Sequence, residues 1–402
     1  MSLLKSLQEL NNLFIINNNY YDNIYESILI LYYNLKKKYD ITNKNIAILS
    51  KNNKYYLDIL FLSLLKSINL HNLTNIDNHK YYEDIISDNK IDILIIDNDF
   101  KHLITDTIFK NLDVIIINPV EPLNKHNNLS NIEDLYKINK DISKEDLIDK
   151  PVDYIPNINI FYYTSNKSSG ISIKLNILEY QIENISSIIN SDKIINWFHN
   201  IPLYNPISLS YILAINYRKG NIFINTLDND VIKLCNDYNI THLRLTQTML
   251  NNNIDILASL QNNTIVYCEL KKKNILINDV ILNNITKLHI VYDIILLNMY
   301  GPILYCNNVN LYDDELNNKY IVHKLKACKN IIIKHKNKNK NKDNSDALNF
   351  NIIKKYIYIK INIVYDKWIK INYNYIIINN NIYIVNTVNT VNTVNTVNTV
   401  NT

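Results

Sequence analysis

Three glycines in 402 residues are the tightest constraint on what this chain can become. An average soluble protein carries roughly 7% glycine. Glycine is the residue that reaches positive φ and close backbone approach without a steric cost. A glycine kept in so depleted a chain marks a place where a side chain, or an ordinary negative φ, is not tolerated. The three are Gly170, Gly220 and Gly301. Collagen-like and glycine-rich architectures are excluded outright. Arginine is almost as scarce, surviving only as Arg218 and Arg244, while Asn, Ile, Lys and Tyr fill the space. These four are the residues of A+T-rich codons, so the bias is genomic and blurs ordinary propensity signals.

The chain is longer than one ordinary domain needs, which predicts one large domain with sub-lobes or two domains. Hydrophobic residues make up 47% and charged residues 20%, enough to bury a sizeable core. A net charge of +4 is too small to argue for nucleic acid. No apolar run approaches the roughly 18 residues of a membrane helix. The first residues, Met1-Ser-Leu-Leu-Lys-Ser, turn polar too early for a signal peptide. Cys235, Cys268, Cys306 and Cys328 are widely spread with no C-x-x-C pair. A reducing cytoplasm is therefore expected, with neither a disulfide framework nor a zinc site. Triplets such as Asn184-Ile185-Ser186 are what an Asn-rich chain produces by chance.

Short β-branched runs alternate with helical stretches through the first half. Residues 21–39 place Ile24, Ile28, Leu31 and Leu35 at helical spacing. Ile46-Ala47-Ile48-Leu49 follows as a short apolar run, then a second helical stretch from Tyr55 to Leu70. Residues 91–96 and 114–117 are two more such runs. Short buried strands separated by helices predict parallel pairing, with helices on the faces. Residues 120–150 are polar and bounded by Pro119, Pro122 and Pro151, which predicts a surface connection. The middle repeats the pattern: strand 157–163 entering a polar turn, helix 175–190, strand 221–225, helix 228–238, strand 242–246, helix 247–260, and strands 264–268 and 288–292. After about residue 305 the texture changes. Residues 334–344 are low in complexity and predict a disordered loop, with a nucleic-acid contact as the weaker reading. Residues 351–385 are dense in Ile and Tyr with partial alternation, which predicts antiparallel β. The chain closes on tandem Val-Asn-Thr units from residue 385. Their period fits neither helix nor strand, which predicts a disordered tail.

An ordered set of segments resembles the AMP-forming adenylating enzymes: the acyl-CoA synthetases, luciferases and adenylation domains of non-ribosomal peptide synthetases. Tyr163-Thr-Ser-Asn-Lys-Ser-Ser-Gly170 stands where that family has its phosphate loop, Y-T-S-G-T-T-G-x-P-K-G. Ile201-Pro-Leu-Tyr-Asn205 is similar to L-P-L-F-H, and Gly220-Asn-Ile-Phe-Ile224 to G-A-T-V-V-L. Ile240-Thr-His-Leu-Arg-Leu-Thr-Gln-Thr-Met-Leu250 resembles V-T-x-L-x-x-x-P-T-M-L, and Tyr267-Cys-Glu-Leu270 resembles G-G-E-x-L. Asn298-Met-Tyr-Gly-Pro302 is similar to N-x-Y-G-P-T-E. Asn43-Lys-Asn-Ile-Ala-Ile-Leu-Ser-Lys-Asn52 looks like G-D-R-V-A-I-L-x-x-N, and residues 88–97 like D-S-x-A-K-x-L-I-T-D. Trp368-Ile-Lys-Ile-Asn-Tyr373 and Asn381-Ile-Tyr-Ile-Val385 resemble W-Y-R-T-G-D and G-Y-L-Y-I-V. The resemblance spans roughly residues 20–385.

The resemblance implies an α/β fold of layered mixed sheets flanked by helices, the large N-terminal domain of AMP-forming ligases, with a small β-rich sub-lobe. Residues 1–385 would be that domain, with the low-complexity loop at about 334–344 inside it and the repeat tail at 386–402. It implies that Thr164, Ser165, Ser168, Ser169 and Gly170 hold phosphate oxygens of ATP or AMP. A solvated polar turn is the competing reading of the same residues. It further implies Glu269, Asn298, Tyr300 and Gly301 on the nucleotide side, with the Tyr300 ring near the adenine. Lys167 and Lys174 read as surface charges. A small carboxylate would be the second substrate, and Mg²⁺ would be needed only by an active enzyme.

Several positions depart from the family pattern. Leu304 stands where the family carries its Mg²⁺-binding Glu. Tyr373 stands at the ribose Asp, with Asn372 at the preceding Gly, and Asn205 stands at the His. The phosphate loop has lost its first Gly, and the repeats begin where the hinge to the Lys-bearing C-terminal domain is expected. No catalytic residue and no metal ligand is assigned. The nine His have no ligand spacing, Cys268 reads as a small buried side chain, and the Asp313-Asp314 pair has no evident partners. The resemblance, with these departures, implies an adenylate-forming ligase-like protein of weak or lost activity. The alternative is a non-catalytic remnant that binds a nucleotide or a protein. No membrane and no nucleic-acid partner is expected, and the oligomeric state is not set.

Overall fold

The computed structural model describes residues 14–16, 19–21, 23–41, 43–66, 68–105, 108, 112–119, 129–137, 160–163, 170–189, 194–224, 235–246 and 264–269. Beyond these it describes the strands between 290 and 387, by backbone alone. The chain forms two compact units, residues 1–244 with 295–302, and residues 245–294 with 303–402.

The first unit opens with β1 (Phe14–Ile16), β2 (Asn19–Tyr21) and α1 (Ile24–Tyr39). Then come β3 (Asn45–Leu49), α2 (Lys54–Lys66), β4 (Asn69–Asn72), α3 (His79–Asp88), β5 (Ile93–Asp97), β6 (Asp113–Ile117) and β7 (Leu129–Asn131). With β8 (Ile160–Tyr162) and β9 (Ile171–Ile173) these strands make a seven-stranded sheet in the order β7-β6-β5-β3-β4-β8-β9. Every pairing is parallel except the last, where β9 runs back along β8. The reason lies in the residues. Ile48, Ile93, Leu94, Ile95, Ile96, Val114 and Ile115 are completely buried, so these strands need apolar side chains on both faces. The parallel sheet is therefore the one that continuous β-branched runs predict.

Three details depart from expectation. The second helix ends at Lys66, not Leu70, and Asn69–Asn72 is instead the strand β4. Its Asn-Leu-His-Asn sequence has no apolar run, but its polar side chains are partly paired inside: the Tyr56 hydroxyl donates to Asn72 Oδ1 at 3.1 Å. Second, α3 is a ten-residue helix that the sequence reading passed over. Asn78 caps it, accepting the Tyr81 N–H at 3.2 Å, and Tyr81, Tyr82, Ile85 and Ile86 form its buried stripe. Third, the polar stretch 120–150 contains the edge strand β7 and a 3₁₀ turn at Ile132–Tyr136, rather than connection alone.

The first unit's other strands are β10 (Asn196–His199), β11 (Asn221–Ile224) and the start of β12 (His242–Thr246). β10 pairs parallel with β11 and with β12, β11 pairs parallel with β1, and β1 pairs antiparallel with β2. Helices α4 (Leu175–Ile188) and α5 (Pro206–Tyr217) accompany them. α5 is buried from Pro206 to Asn216, and Ser210 hydrogen-bonds to Gln181 of α4.

Glycine depletion is visible at the helix ends. The left-handed region is occupied by Asn23, Asp40, Asn43, Lys90, Asn118, Lys219 and Asn239. α3, α5 and the helical turn at 235–237 end in the same double hydrogen bond. Ile91 N–H reaches Ile86 O while Lys90 N–H reaches Ser87 O; Gly220 N–H reaches Ile215 O while Lys219 N–H reaches Asn216 O; Ile240 N–H reaches Cys235 O while Asn239 N–H reaches Asn236 O. The residue at the left-handed corner is normally Gly. Here it is Lys90, Lys219 or Asn239, and each leads directly towards a strand. Gly220 is kept one residue later for a different reason. A Cβ there would lie 2.8 Å from Ile215 Cγ2 and 2.9 Å from Ile195 Cβ. Close packing, not turn geometry, holds this glycine.

In the second unit, β13 (Ile265–Glu269) pairs parallel with β14 (Ile290–Ile295). β15 (Pro302–Cys306) pairs antiparallel with β18 (Lys326–Ala327). The remaining strands are β16 (Val309–Asp313), β17 (Lys319–Lys324), β19 (Ile331–His335), β20 (Ile353–Ile361), β21 (Ile369–Ile378) and β22 (Asn381–Thr387). They form a six-stranded antiparallel sheet in the order β16-β17-β22-β21-β20-β19. Strand β19 takes in 334–335, the start of the low-complexity stretch, and β22 takes in the first Val-Asn-Thr unit. Positions 336–344 and 388–402 lie outside the described residues.

Candidate functional site

The expected phosphate loop has a described floor. Strand β8 ends at Tyr162, Tyr163 follows, and the chain returns at Gly170 to enter β9 antiparallel to β8. The loop therefore leaves and re-enters at one point of the sheet. A Cβ on Gly170 would sit 2.9 Å from Tyr163 Cζ and 3.0 Å from Phe161 Cβ. The returning chain lies directly on the Tyr163 ring, so Gly170 is required by close approach.

Tyr163 is fixed from three sides. Its hydroxyl lies 2.5 Å from His71 Nδ1 in β4, and its carbonyl accepts the Thr74 hydroxyl at 2.9 Å. Its ring stacks near His71 with centroids 5.9 Å apart, and His71 stacks on Phe161 at 4.6 Å and 14°. Burial holds His71 neutral by pulling its pKa down to about 4. His71 Nε2, Asn72 Nδ2 and the Tyr162 hydroxyl are buried here without a hydrogen-bond partner. Each such orphan costs about 1–3 kcal/mol, and native proteins carry few of them. They gather at the ends of β4 and β8, where Asn72 pairs with Tyr162 and the chain runs on to Tyr163.

The other expected residues divide as follows. Thr164, Ser165, Ser168 and Ser169 lie outside the described residues, as do Asn298, Tyr300 and Gly301. Glu269 ends β13, in register with Asp293 of β14. Leu304 lies in β15 in register with Ala327, and Tyr373 lies in β21 in register with Lys355. Asn205 has a structural duty: its Oδ1 accepts the Ile207 N–H at 3.1 Å and caps α5, whose first residue is Pro206. Among the described residues no three His, Cys, Asp or Glu side chains converge as a metal site. Among them, too, no helix is long and apolar enough to cross a membrane.

A second buried polar group escaped the sequence reading. His199, at the end of β10, bonds Ser208 Oγ through Nε2 at 2.6 Å and accepts from Trp197 Nε1 at 3.4 Å. Trp197 stacks on Tyr211 with centroids 5.2 Å apart, and the Arg244 guanidinium lies 4.7 Å from the Tyr211 ring centre. Burial, with Arg244 nearby, pulls the His199 pKa down to about 3. The signal was available: Arg244 is one of two arginines, and it alternates with leucines in a strand. Asn52 was visible too, as the last residue of a family-like segment. Its side chain donates to Ile201 O at 3.1 Å and accepts Leu203 N–H at 2.8 Å, tying the end of β3 to the Ile201–Asn205 segment. Cys235 is buried, and burial pushes its thiol up to about 12, which leaves no thiolate at neutral pH.

No protein-family model matches the sequence, and no curated protein matches it. Solved structures match its fold. Coronafacic acid ligase from Pectobacterium brasiliense superposes with a TM-score of 0.72 at 14% identity, over 96% of this chain and 78% of that one. O-succinylbenzoate coenzyme A synthetase from Bacillus subtilis, in complex with AMP, gives 0.68 at 12% identity over 96% and 98%. A luciferase-like enzyme from the nonluminescent mealworm Zophobas morio gives 0.68 at 11% identity over 96% and 94%. The chain has the mixed-sheet, helix-flanked α/β fold of these three enzymes.

Proposed function

We propose that the chain binds an adenine nucleotide through the loop closed by Gly170, and that adenylate formation from a carboxylate and ATP is weak or absent. The carrying observation is the loop floor: in a chain with three glycines, one is kept where the returning loop rests on the Tyr163 ring. The B. subtilis synthetase with AMP bound, which shares the fold, supports an adenine nucleotide as ligand. The phosphates would lie against Thr164, Ser165, Ser168 and Ser169, and the adenine against Asn298, Tyr300 and Gly301.

Turnover demands more than binding. Leaving pyrophosphate must be stabilised electrostatically, and one lost donor or cation of this kind costs about 3 kcal/mol. Leu304 and Tyr373 replace two carboxylates of the family pattern, and Asn205 is used as a helix cap. Such losses act mainly on the transition state and spare ground-state affinity. Mg²⁺ would then matter only if Glu269 or Asp313 supplied a substitute carboxylate.

Calorimetric titration with AMP tests the binding half. The wild-type chain takes up one AMP, and Gly170→Val abolishes uptake, because its side chain meets the Tyr163 ring. An AMP affinity unchanged in Gly170→Val removes the loop from the site.

A further inference from the structure

A cavity of about 330 Å³ is lined, among the described residues, by Ile16, Tyr20, Tyr21, Asn53, Lys54, Tyr55 and Asn118. Its size is at the low end for small-molecule sites, enough for a single-ring compound. Among the described residues the lining has one cation, two amides, three phenols and one aliphatic side chain, and no carboxylate.

The walls are fixed before any ligand arrives. Tyr21 is bonded through its hydroxyl to Asp58 of α2, and Asp58 also accepts the Tyr136 hydroxyl at 2.7 Å. Tyr55 packs on Tyr136 with centroids 5.4 Å apart. Asn53 is committed at both ends, accepting the Tyr56 N–H at 2.9 Å and donating to Ser50 Oγ at 2.7 Å. Lys54 is different. Its ammonium lies 4.7 Å from the Tyr55 ring centre and 5.4 Å from that of Tyr136, and it makes no ion pair among the described residues. The nearby Asp58 is fully buried and bound to two tyrosines; burial raises its pKa to about 7, so near neutrality it offsets the Lys54 charge only in part. Tyr20, also in the lining, has 67% of its surface exposed.

We propose that this pocket binds a small planar aromatic anion, its ring against Tyr20 and Tyr55 and its charge on the Lys54 ammonium. The tyrosines supply flat apolar area with little side-chain entropy to lose. Lys54 supplies the only formal charge among the described lining residues, and its sign selects anions. Its lining shares no residue with the proposed nucleotide site, so the proposal stands whether or not AMP binds there.

Titration of the full chain with benzoate, benzamide and benzylammonium tests it. Benzoate should bind at least tenfold tighter than its neutral isostere benzamide, and benzylammonium should not bind. Lys54 is exposed, so Lys54→Gln leaves the fold intact, which an unchanged melting temperature checks. Lys54→Gln should erase the benzoate preference, Lys54→Arg should retain it, and Tyr20→Ala should weaken benzoate and benzamide alike. Equal affinity for benzoate and benzamide overturns the proposal. So does a benzoate affinity that survives Lys54→Gln, or one lost equally in Lys54→Arg.

Discussion

The seven-stranded sheet of the first unit and the six-stranded sheet of the second are built from the same few residue types in opposite ways. In the first, β3, β5 and β6 are short unbroken apolar runs, parallel and buried on both faces. In the second, β20 and β21 are long and alternate. Ile357 stands opposite Ile371 and Ile359 opposite Ile369, while the intervening positions pair Tyr356 with Asn372 and Tyr358 with Lys370. One strand face is apolar and the other polar, which fixes register by exclusion, since a one-residue slip exchanges the faces. A chain restricted to Ile, Asn, Lys and Tyr can thus still specify two sheet types, through run length and period alone. Glycine turns are replaced by left-handed Asn and Lys in the first unit.

The largest effect separating the two sheets should come from their cores. Ile115→Ala in fully buried β6 should cost about 2–5 kcal/mol, because removed methyl groups leave a cavity. In β20 the face should decide instead. Ile357→Lys should destabilise strongly, while Tyr358→Lys, one residue on, should change stability by about 0.5 kcal/mol or less. Chemical unfolding of the three variants checks this. Equal effects of the two β20 changes would contradict the assigned faces.

The same contrast explains what was readable. The buried runs of β3, β5 and β6 and the alternation of β20–β22 were legible, because unbroken apolar runs and two-residue periods both show in the sequence. β4 was not, since its Asn69, His71 and Asn72 are satisfied, where they are satisfied, by partners distant in sequence such as Tyr56 and Tyr163. α3 was missed because its Tyr81-Tyr82 and Ile85-Ile86 stripe is short and set among lysine, asparagine and aspartate. At the site, Gly170 was legible through rarity. The orphaned polar atoms of His71, Asn72 and Tyr162 were not, because orphaning is a property of packing.

A smaller effect should appear with pH, and its sign follows from the buried groups of the first unit. His71, His199 and His242 are held near 4, 3 and 4 by burial, below the usual 6.5. Between about pH 4 and 6.5 the unfolded chain therefore binds three more protons on these groups than the folded one. Asp58 opposes them: its folded pKa is about 7 against 3.8, so the folded state holds one proton that the unfolded state has lost. Three minus one leaves a net uptake of about two protons on unfolding, so these groups make stability rise with pH across this window. Asp58→Asn should steepen the rise by about one proton. Melting temperatures from pH 4.5 to 7 read this directly, and a slope unchanged in Asp58→Asn would count against a neutral buried Asp58.

The smallest effect concerns the turns. Lys90 holds φ 48° at the end of α3, where a side chain costs roughly 1–2 kcal/mol. Lys90→Gly should stabilise the chain by about 1 kcal/mol, less the entropy that glycine adds to the unfolded state. A loss of stability would mean that the Lys90 side chain repays its strain through contacts.

The central claim is a nucleotide site kept after its catalytic charges were replaced. ATP–pyrophosphate exchange on the purified chain, with amino acids and fatty acids as substrates and Ser165→Ala alongside, tests it most directly. The account predicts exchange at background in both proteins, with AMP still bound by the wild type. Exchange well above background that vanishes in Ser165→Ala would contradict it, and would mean that another carboxylate, Glu269 or Asp313, has taken over the metal.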